Sequence, residues 1–263
     1  MMETLAVAAS QIWPLALVML VLGWLVRRGS ARRRNAQVAR NTANARLRDM
    51  DYTPPGGDDA GGPLRGVHRF DGTTRGIAWT LETLYLTDQD AGVYSQRRNT
   101  IQNYSRWTAA QASTGGGALL LMNLPEGERP PALPSDTGTG FLDAITNKAA
   151  EAALHLFARV NFGADRAASL PLAPEHRVPL ASDAFGTAFV AFSDRPPLLD
   201  RLTPKAREWL LTGRDKRVAF LWDAQGLTLT WPTPHLAPDA VTACAAYGAE
   251  LAGMLVDPVS SPV

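Results

Sequence analysis

One cysteine, Cys244, stands among 263 residues. No disulfide can form within the chain, and a lone thiol suits a reducing compartment. No charged residue occurs between Thr4 and Val26, and no Lys or Arg precedes that stretch. No acid occurs from Arg27 to Arg48, where eight arginines fall. No two of His68, His155, His176 and His235 have the spacing of a metal-binding pair. There is no G-x-S-x-G nucleophile elbow. The tripeptide Asp136–Gly138 occurs once. An aspartic protease needs two such carboxylates at the ends of apolar strands, sharing one proton. Here "PALPS" precedes the single copy, which reads as a turn in a proline-rich loop. No internal repeat is visible.

Other fragments of chemistry have plainer readings. "STGGGALLL" leads into a strand, whereas a phosphate loop must run into a helix. "TGTGFLDAITNK" does open a helix, whose N-terminus is able to hold an anion, but Lys148 is too far along to match a phosphate loop. Glu151 and His155 are four apart on that helix, with Lys148 and Arg159 on the same side. This reads as a solvated, salt-bridged face, with a Glu–His acid/base pair as the sharper alternative. Cys244 falls on an apolar helix stripe and reads as a small core residue. Trp79, Trp107, Trp209, Trp222 and Trp231 fall at alternating or helical core positions. "GRDKR" (213–217) reads as a solvated basic turn. No catalytic residue, cofactor site or metal site is assigned, and no cofactor is expected.

What is present is an apolar segment with a basic collar. The composition, 46% hydrophobic and 19% charged, is that of a globular protein. The whole chain carries +1; setting aside the eight arginines and Glu3 leaves residues 49–263 at −6. A nucleic-acid-binding domain would carry its basic patch on the fold, so no nucleic-acid partner is expected. Leu5–Val26 is long enough to cross the roughly 30 Å hydrocarbon core of a bilayer. Trp13 and Trp24 are placed as interface anchors, and Pro14 is tolerable near a helix start. A cleaved signal would need a positive n-region and a small-residue cleavage site; "MMET" lacks the first, and nothing before the arginines supplies the second. A buried helix of a soluble protein would show a polar stripe. The segment is therefore read as an uncleaved anchor.

Arg27, Arg28, Arg32, Arg33 and Arg34 form the membrane-proximal basic group. The bias puts the N-terminus outside and residues 27–263 in the cytoplasm, at a bacterial inner membrane. Each arginine near anionic headgroups adds about 1 kcal/mol of attraction.

The expected organisation is a transmembrane anchor (1–26), a basic juxtamembrane helix (27–50), a flexible linker (51–63), a soluble domain (64–256) and a tail (257–263). "RGVHRFDGTTRGIAWTLETLYL" reads as two strands with the turn at Asp71–Gly72. The phase slip after Leu81 suggests a bulge near Glu82–Thr83 or a strand end. "NYSRWTAAQA" and "ALLLMNL" read as a further pair joined by "STGGG", and Pro125–Gly140 as a loop. "FLDAITNKAAEAALHLFARVNFG" is an amphipathic helix with Phe141, Ile145, Ala149, Ala152, Leu156 and Val160 as its apolar stripe, stopped by Gly163. "GTAFVAFSD" is a strand. "TPKAREWLLTG" is a helix with Thr203 as N-cap, Pro204 at N1 and Gly213 as C′. "RVAFLWDAQGLTLTW" is a hairpin, with Leu227, Leu229 and Trp231 on one face and Thr228 and Thr230 on the other. The last helix buries Val241, Cys244, Ala245, Gly248, Leu251 and Leu255. The fold class is α+β: a mostly antiparallel sheet built from hairpins, about three helices packed on it, and one N-terminal transmembrane helix in front.

From Phe70 onward, the early hairpin "FDGTTRGIAWTLE" is followed by the strand–helix–hairpin–helix unit "FVAFSD…LTPKAREWLL…VAFLWDAQGLTLTW…". This order resembles bacterial membrane-anchored proteins of unknown function, with one short span and a soluble domain. The resemblance implies architecture and topology, and no site residues. The leading expectation is a single-pass, signal-anchored membrane protein with a cytoplasmic interaction or scaffolding domain. Its partners are the membrane, through anionic lipid at the arginine collar, and an unknown protein. A membrane-tethered hydrolase built from the 125–140 loop and the Glu151/His155 face is one alternative. A small-molecule or lipid-headgroup sensor is the other.

Overall fold

The computed structural model describes residues 19–24, 28, 32, 35–36, 38–54, 67–86, 102–124, 141–213, 218–232 and 238–256. The described residues form nine strands: β1 (Asp51–Thr53), β2 (His68–Thr74), β3 (Ile77–Leu86), β4 (Gln102–Ala109), β5 (Leu119–Asn123), β6 (Arg177–Val178), β7 (Phe189–Ser193), β8 (Ala219–Asp223) and β9 (Gly226–Pro232). They form one sheet in the order β1-β2-β3-β4-β9-β8-β5-β7-β6. Every neighbouring pair is antiparallel. The helices are α1 (38–46), α2 (Phe141–Phe162), α3 (Ala164–Ala167), α4 (Ala184–Ala188), α5 (Pro204–Thr212) and α6 (Pro238–Val256). The fold is α+β with a large antiparallel sheet. The three helices expected within the domain are α2, α5 and α6. Of the expected transmembrane segment only 19–24 is described, as helix; the rest of 1–26 lies outside the described residues.

The sheet has two unlike faces. On the first, Trp79, Leu81, Trp107, Phe220, Leu227 and Leu229 make the main core with apolar residues of α4, α5 and α6. On the second, Leu120, Met122, Val190 and Leu221 pack beneath Leu154, Ala158 and Phe162 of α2 and Ala167 of α3. Fully burying one such Leu or Phe stabilises the fold by about 1.5–3 kcal/mol. The second apolar cluster draws its strands from β5, β7 and β8. Towards β9, β4 and β3 the same face becomes polar.

Several sequence expectations are corrected. The first hairpin turns at Arg75–Gly76, not Asp71–Gly72; both turn residues have positive φ, as a two-residue I′ turn requires. Asp71 and Gly72 lie inside β2, opposite Thr80 and Trp79. Gly72 is there because the Trp79 indole crosses it: a Cβ would stand 2.6 Å from the ring. No bulge interrupts β3, whose ladder to β4 runs unbroken from Thr80 to Leu86, and Thr83 is buried on the face of Leu81. Strands β4 and β5 do not pair, because the β8–β9 hairpin lies between them. Their connection wraps the tip of that hairpin: Thr114 N donates to Asp223 O, and Ser113 Oγ to Ala224 O. Gly186–Ala188 close α4 instead of starting a strand, since Asp183 accepts from Gly186 N and caps the helix.

α2 ends at Phe162, and Gly163 takes φ 92°. Its buried face is Leu154, Ala158, Asn161 and Phe162, nearly opposite the expected stripe. Ala152 is exposed, Leu156 and Val160 are half-buried, and the side chains of Phe141, Ile145 and Ala149 lie outside the description. The expected linker is also shorter at its start. Asp51–Thr53 forms the edge strand on β2, and α1 seats on the domain through buried Ala45 and Asn41. Asn41 Nδ2 donates to the Tyr52 hydroxyl, which lies 2.8 Å from His68 Nδ1. The ordered fold thus begins before Leu64; residues 55–63 lie outside the described residues.

Candidate functional site

Trp24, Arg28 and Arg32 are described and helical; Trp13, Arg27, Arg33 and Arg34 lie outside the described residues. Met19, Leu20, Val21, Leu22 and Trp24 are each between 49% and 73% exposed. Helical geometry stacks residues four apart, and the Arg28 guanidinium lies 4.9 Å from the Trp24 ring centroid. Among the described residues no helix is long and apolar enough to cross a membrane.

Among the described residues the catalytic fragments do not converge. Asp136–Gly138 and the 125–140 loop lie outside the described residues. In the glycine loop at 115–117, Gly115 N donates to Ser113 Oγ and Gly116 N to Thr114 Oγ1, and the following Ala118 N donates to Asp194. Glu151 and His155 stand 4.0 Å apart with more than half of each side chain exposed. Cys244 is half-buried on α6. Among the described residues no group of His, Cys, Asp and Glu is arranged to hold a metal ion. Trp79, Trp107, Trp222 and Trp231 are core residues, and Trp209 is half-buried against Tyr247.

The polar part of the second sheet face is the feature that sequence reading missed. Thr228 and Thr230, expected to point away from the core, are fully buried beneath the end of α2 and α3. Thr230 Oγ1 donates to Asn161 Oδ1. Arg166 of α3 grips Asp223 with Nε and Nη2 at 2.7 and 2.6 Å, donates through Nη1 to Thr228 Oγ1, and reaches Gly226 O. Both side chains of this ion pair are nearly nine-tenths buried, so its hydrogen bonds must offset a large desolvation cost.

Beside it stands Arg106 of β4. Its Nε donates to Asn161 O, and its Nη1 is 3.9 Å from Glu82 Oε2. Burial pushes the Arg106 pKa down, Glu82 opposes that shift, and the Arg166 guanidinium adds to it. One strand further, Arg69 lies opposite Glu82 and binds Asp71 with Nε and Nη2, while Thr80 donates to Asp71 at 2.5 Å. An open hollow of about 620 Å³ follows, bordered by Asp51, Asp71, Thr73, Thr80, Thr108 and Ala110. The signal for this face lies in the inter-core positions of β2, β3 and β4: Arg69 and Asp71, Thr80 and Glu82, Arg106 and Thr108. In sequence these look like ordinary solvent-facing residues.

No family model matches the chain, and no curated protein and no solved structure matches it.

Proposed function

We propose that the chain is a membrane-tethered protein whose α+β domain works as an interaction module on the cytoplasmic side of a bacterial inner membrane. The observation that carries this reading is the run of exposed apolar residues at 19–24. A helical stretch bare of polar groups and uncovered by its own domain needs another apolar medium. Trp24 stacked with Arg28 suits the headgroup level, where an indole and a cation both find partners. The arginines from 27 to 34 favour the cytoplasmic leaflet and its anionic lipids. α1 and β1, which join the domain core directly, would hold the domain close to the bilayer. The test is alkaline carbonate extraction of membranes carrying the full chain. Retention in the pellet is expected; release into the supernatant would overturn the attachment.

A second reading, a small-molecule sensor, draws on the open polar hollow of the sheet face. Its site would lie on the surface of the sheet, since the main core is filled by large side chains. The hydrolase reading has less support, since more than half of each of the Glu151 and His155 side chains is exposed.

A further inference from the structure

The geometry points to Arg106 as the anchor of a binding site for a carboxylate-bearing ligand on the open face of the sheet. The inference deepens the sensor reading and is independent of membrane attachment. Arg106 is held but not saturated. Its Nε is fixed on Asn161 O. Nη1 and Nη2 have no hydrogen-bond partner among the described residues, and the closest acid, Glu82, is 3.9 Å away. Gly163 leaves one flank of the guanidinium uncapped: a Cβ there would meet only Nη1 and Nη2, at 3.8 and 3.9 Å. The side chain is 19% exposed, so its remaining donors sit where charge-assisted hydrogen bonds are strong yet a ligand can reach them.

The charges around it select the ligand. Across the face they alternate, Asp71, Arg69, Glu82, Arg106, and then meet a second cation, Arg166. Arg166 is already occupied by Asp223, Thr228 and Gly226, which leaves Arg106 as the open donor at the break in alternation. A guanidinium edge matches carboxylate and phosphate alike. Glu82 decides between them: it stands beside Arg106 and repels a second negative charge, so the face takes a monoanion. The row Thr80–Thr108 lies next to the row Glu82–Arg106 along β3 and β4 and borders the hollow, whose lining also holds Asp49, Asp51 and Asp71, so the rest of the ligand is neutral or cationic and carries no second acid.

The experiment is thermal unfolding of the full chain in a neutral detergent, followed by tryptophan fluorescence. Sodium acetate is titrated at constant ionic strength against sodium chloride, with sodium phosphate in parallel, at about pH 8, where phosphate is chiefly a dianion. A ligand of the folded state raises the midpoint by saturable mass action. Acetate is expected to raise it saturably, and phosphate to act at least about tenfold more weakly. Arg106→Lys should weaken the acetate effect about tenfold, because the planar fork is lost. Glu82→Gln should tighten acetate several-fold and admit phosphate. The Glu82→Gln arm decides the matter if Arg106→Lys does not fold. Absence of a saturable acetate effect, preference of the wild type for phosphate, or an unchanged acetate response in Glu82→Gln would each overturn the proposal.

Discussion

Gly248 of α6 lies against the face of the Trp107 indole: a methyl group at position 248 would stand 2.5 Å from the ring. Trp107 is fully buried at the centre of the sheet. The absence of a side chain is what lets α6 come down onto β3 and β4. Gly248→Ala should therefore overpack the core and cost about 1–3 kcal/mol. Gly253, on the same helix, has nothing within 4 Å of the corresponding position. Gly253→Ala should be neutral or stabilising by up to about 1 kcal/mol. Denaturant unfolding of the two variants checks the contrast. Equal effects would contradict the close contact.

The two arginine–aspartate pairs of the second face should differ sharply in worth. Arg166–Asp223 is buried and bidentate, so Asp223→Ala leaves an unpaired buried guanidinium and should cost about 3–5 kcal/mol. Arg69–Asp71 is bidentate too, but Arg69 is half exposed and water screens the pair. Asp71→Ala should cost less than about 1 kcal/mol. Unfolding midpoints measured side by side rank them.

The weaker pair has a pH signature. Hydrogen bonding by Arg69 holds the Asp71 carboxyl below the ordinary aspartate value, against a partial burial penalty and with help from Thr80. In the unfolded chain the carboxyl returns to about 3.9. The folded state takes up this proton less readily. Its stabilisation is complete above the unfolded value and fades as the pH falls through the folded one. The stability gap between wild type and Asp71→Asn should be flat above about pH 5 and shrink on further acidification. A gap that grows towards low pH would reverse the assignment.

Local chemistry was readable where one residue settles one contact. Thr203 accepts from Ala206 N, Pro204 sits at N1, and the helix stops at Gly213, as expected. Gly213 nevertheless has φ −88°, and its small size serves the Tyr247 hydroxyl packed against it. The β8–β9 hairpin and the buried stripe of α6 follow their periodicity in the same way. Legibility failed where partners distant in sequence decide. Asp71–Gly72 has turn chemistry, but Arg69 and Trp79 claim it for a strand interior. α2 is rich in alanine all round, so its period fits more than one face; Asn161 reaching Thr230 and Arg106 chooses the one that is buried. β4 and β5 are consecutive strands that pairing rules would join, yet a hairpin formed more than 90 residues later lies between them. The polar face is least legible of all, because Arg106, Arg166 and Asp223 come from three separate segments.

The proposed membrane attachment makes its own local prediction. If Trp24 marks the headgroup level, its fluorescence, read as the difference between the wild type and Trp24→Phe, should be blue-shifted in vesicles and quenched most by shallow lipid quenchers. Arg28→Glu should weaken that placement by removing the cation stacked on the ring and adding like charge against anionic lipid. An unchanged quenching depth would show that the pair does not set the boundary.

The most direct measurement is a pair of fusions placed after Val263 and expressed in the same bacterial host. The tethered, inward-facing arrangement predicts a fluorescent green-fluorescent-protein fusion in the membrane fraction and an inactive alkaline-phosphatase fusion. Reversing the charge of Arg27, Arg28, Arg32, Arg33 and Arg34 should raise phosphatase activity, because the proposed orientation rests on that arginine bias. An active phosphatase with a dark fluorescent fusion in the unaltered chain would contradict the account.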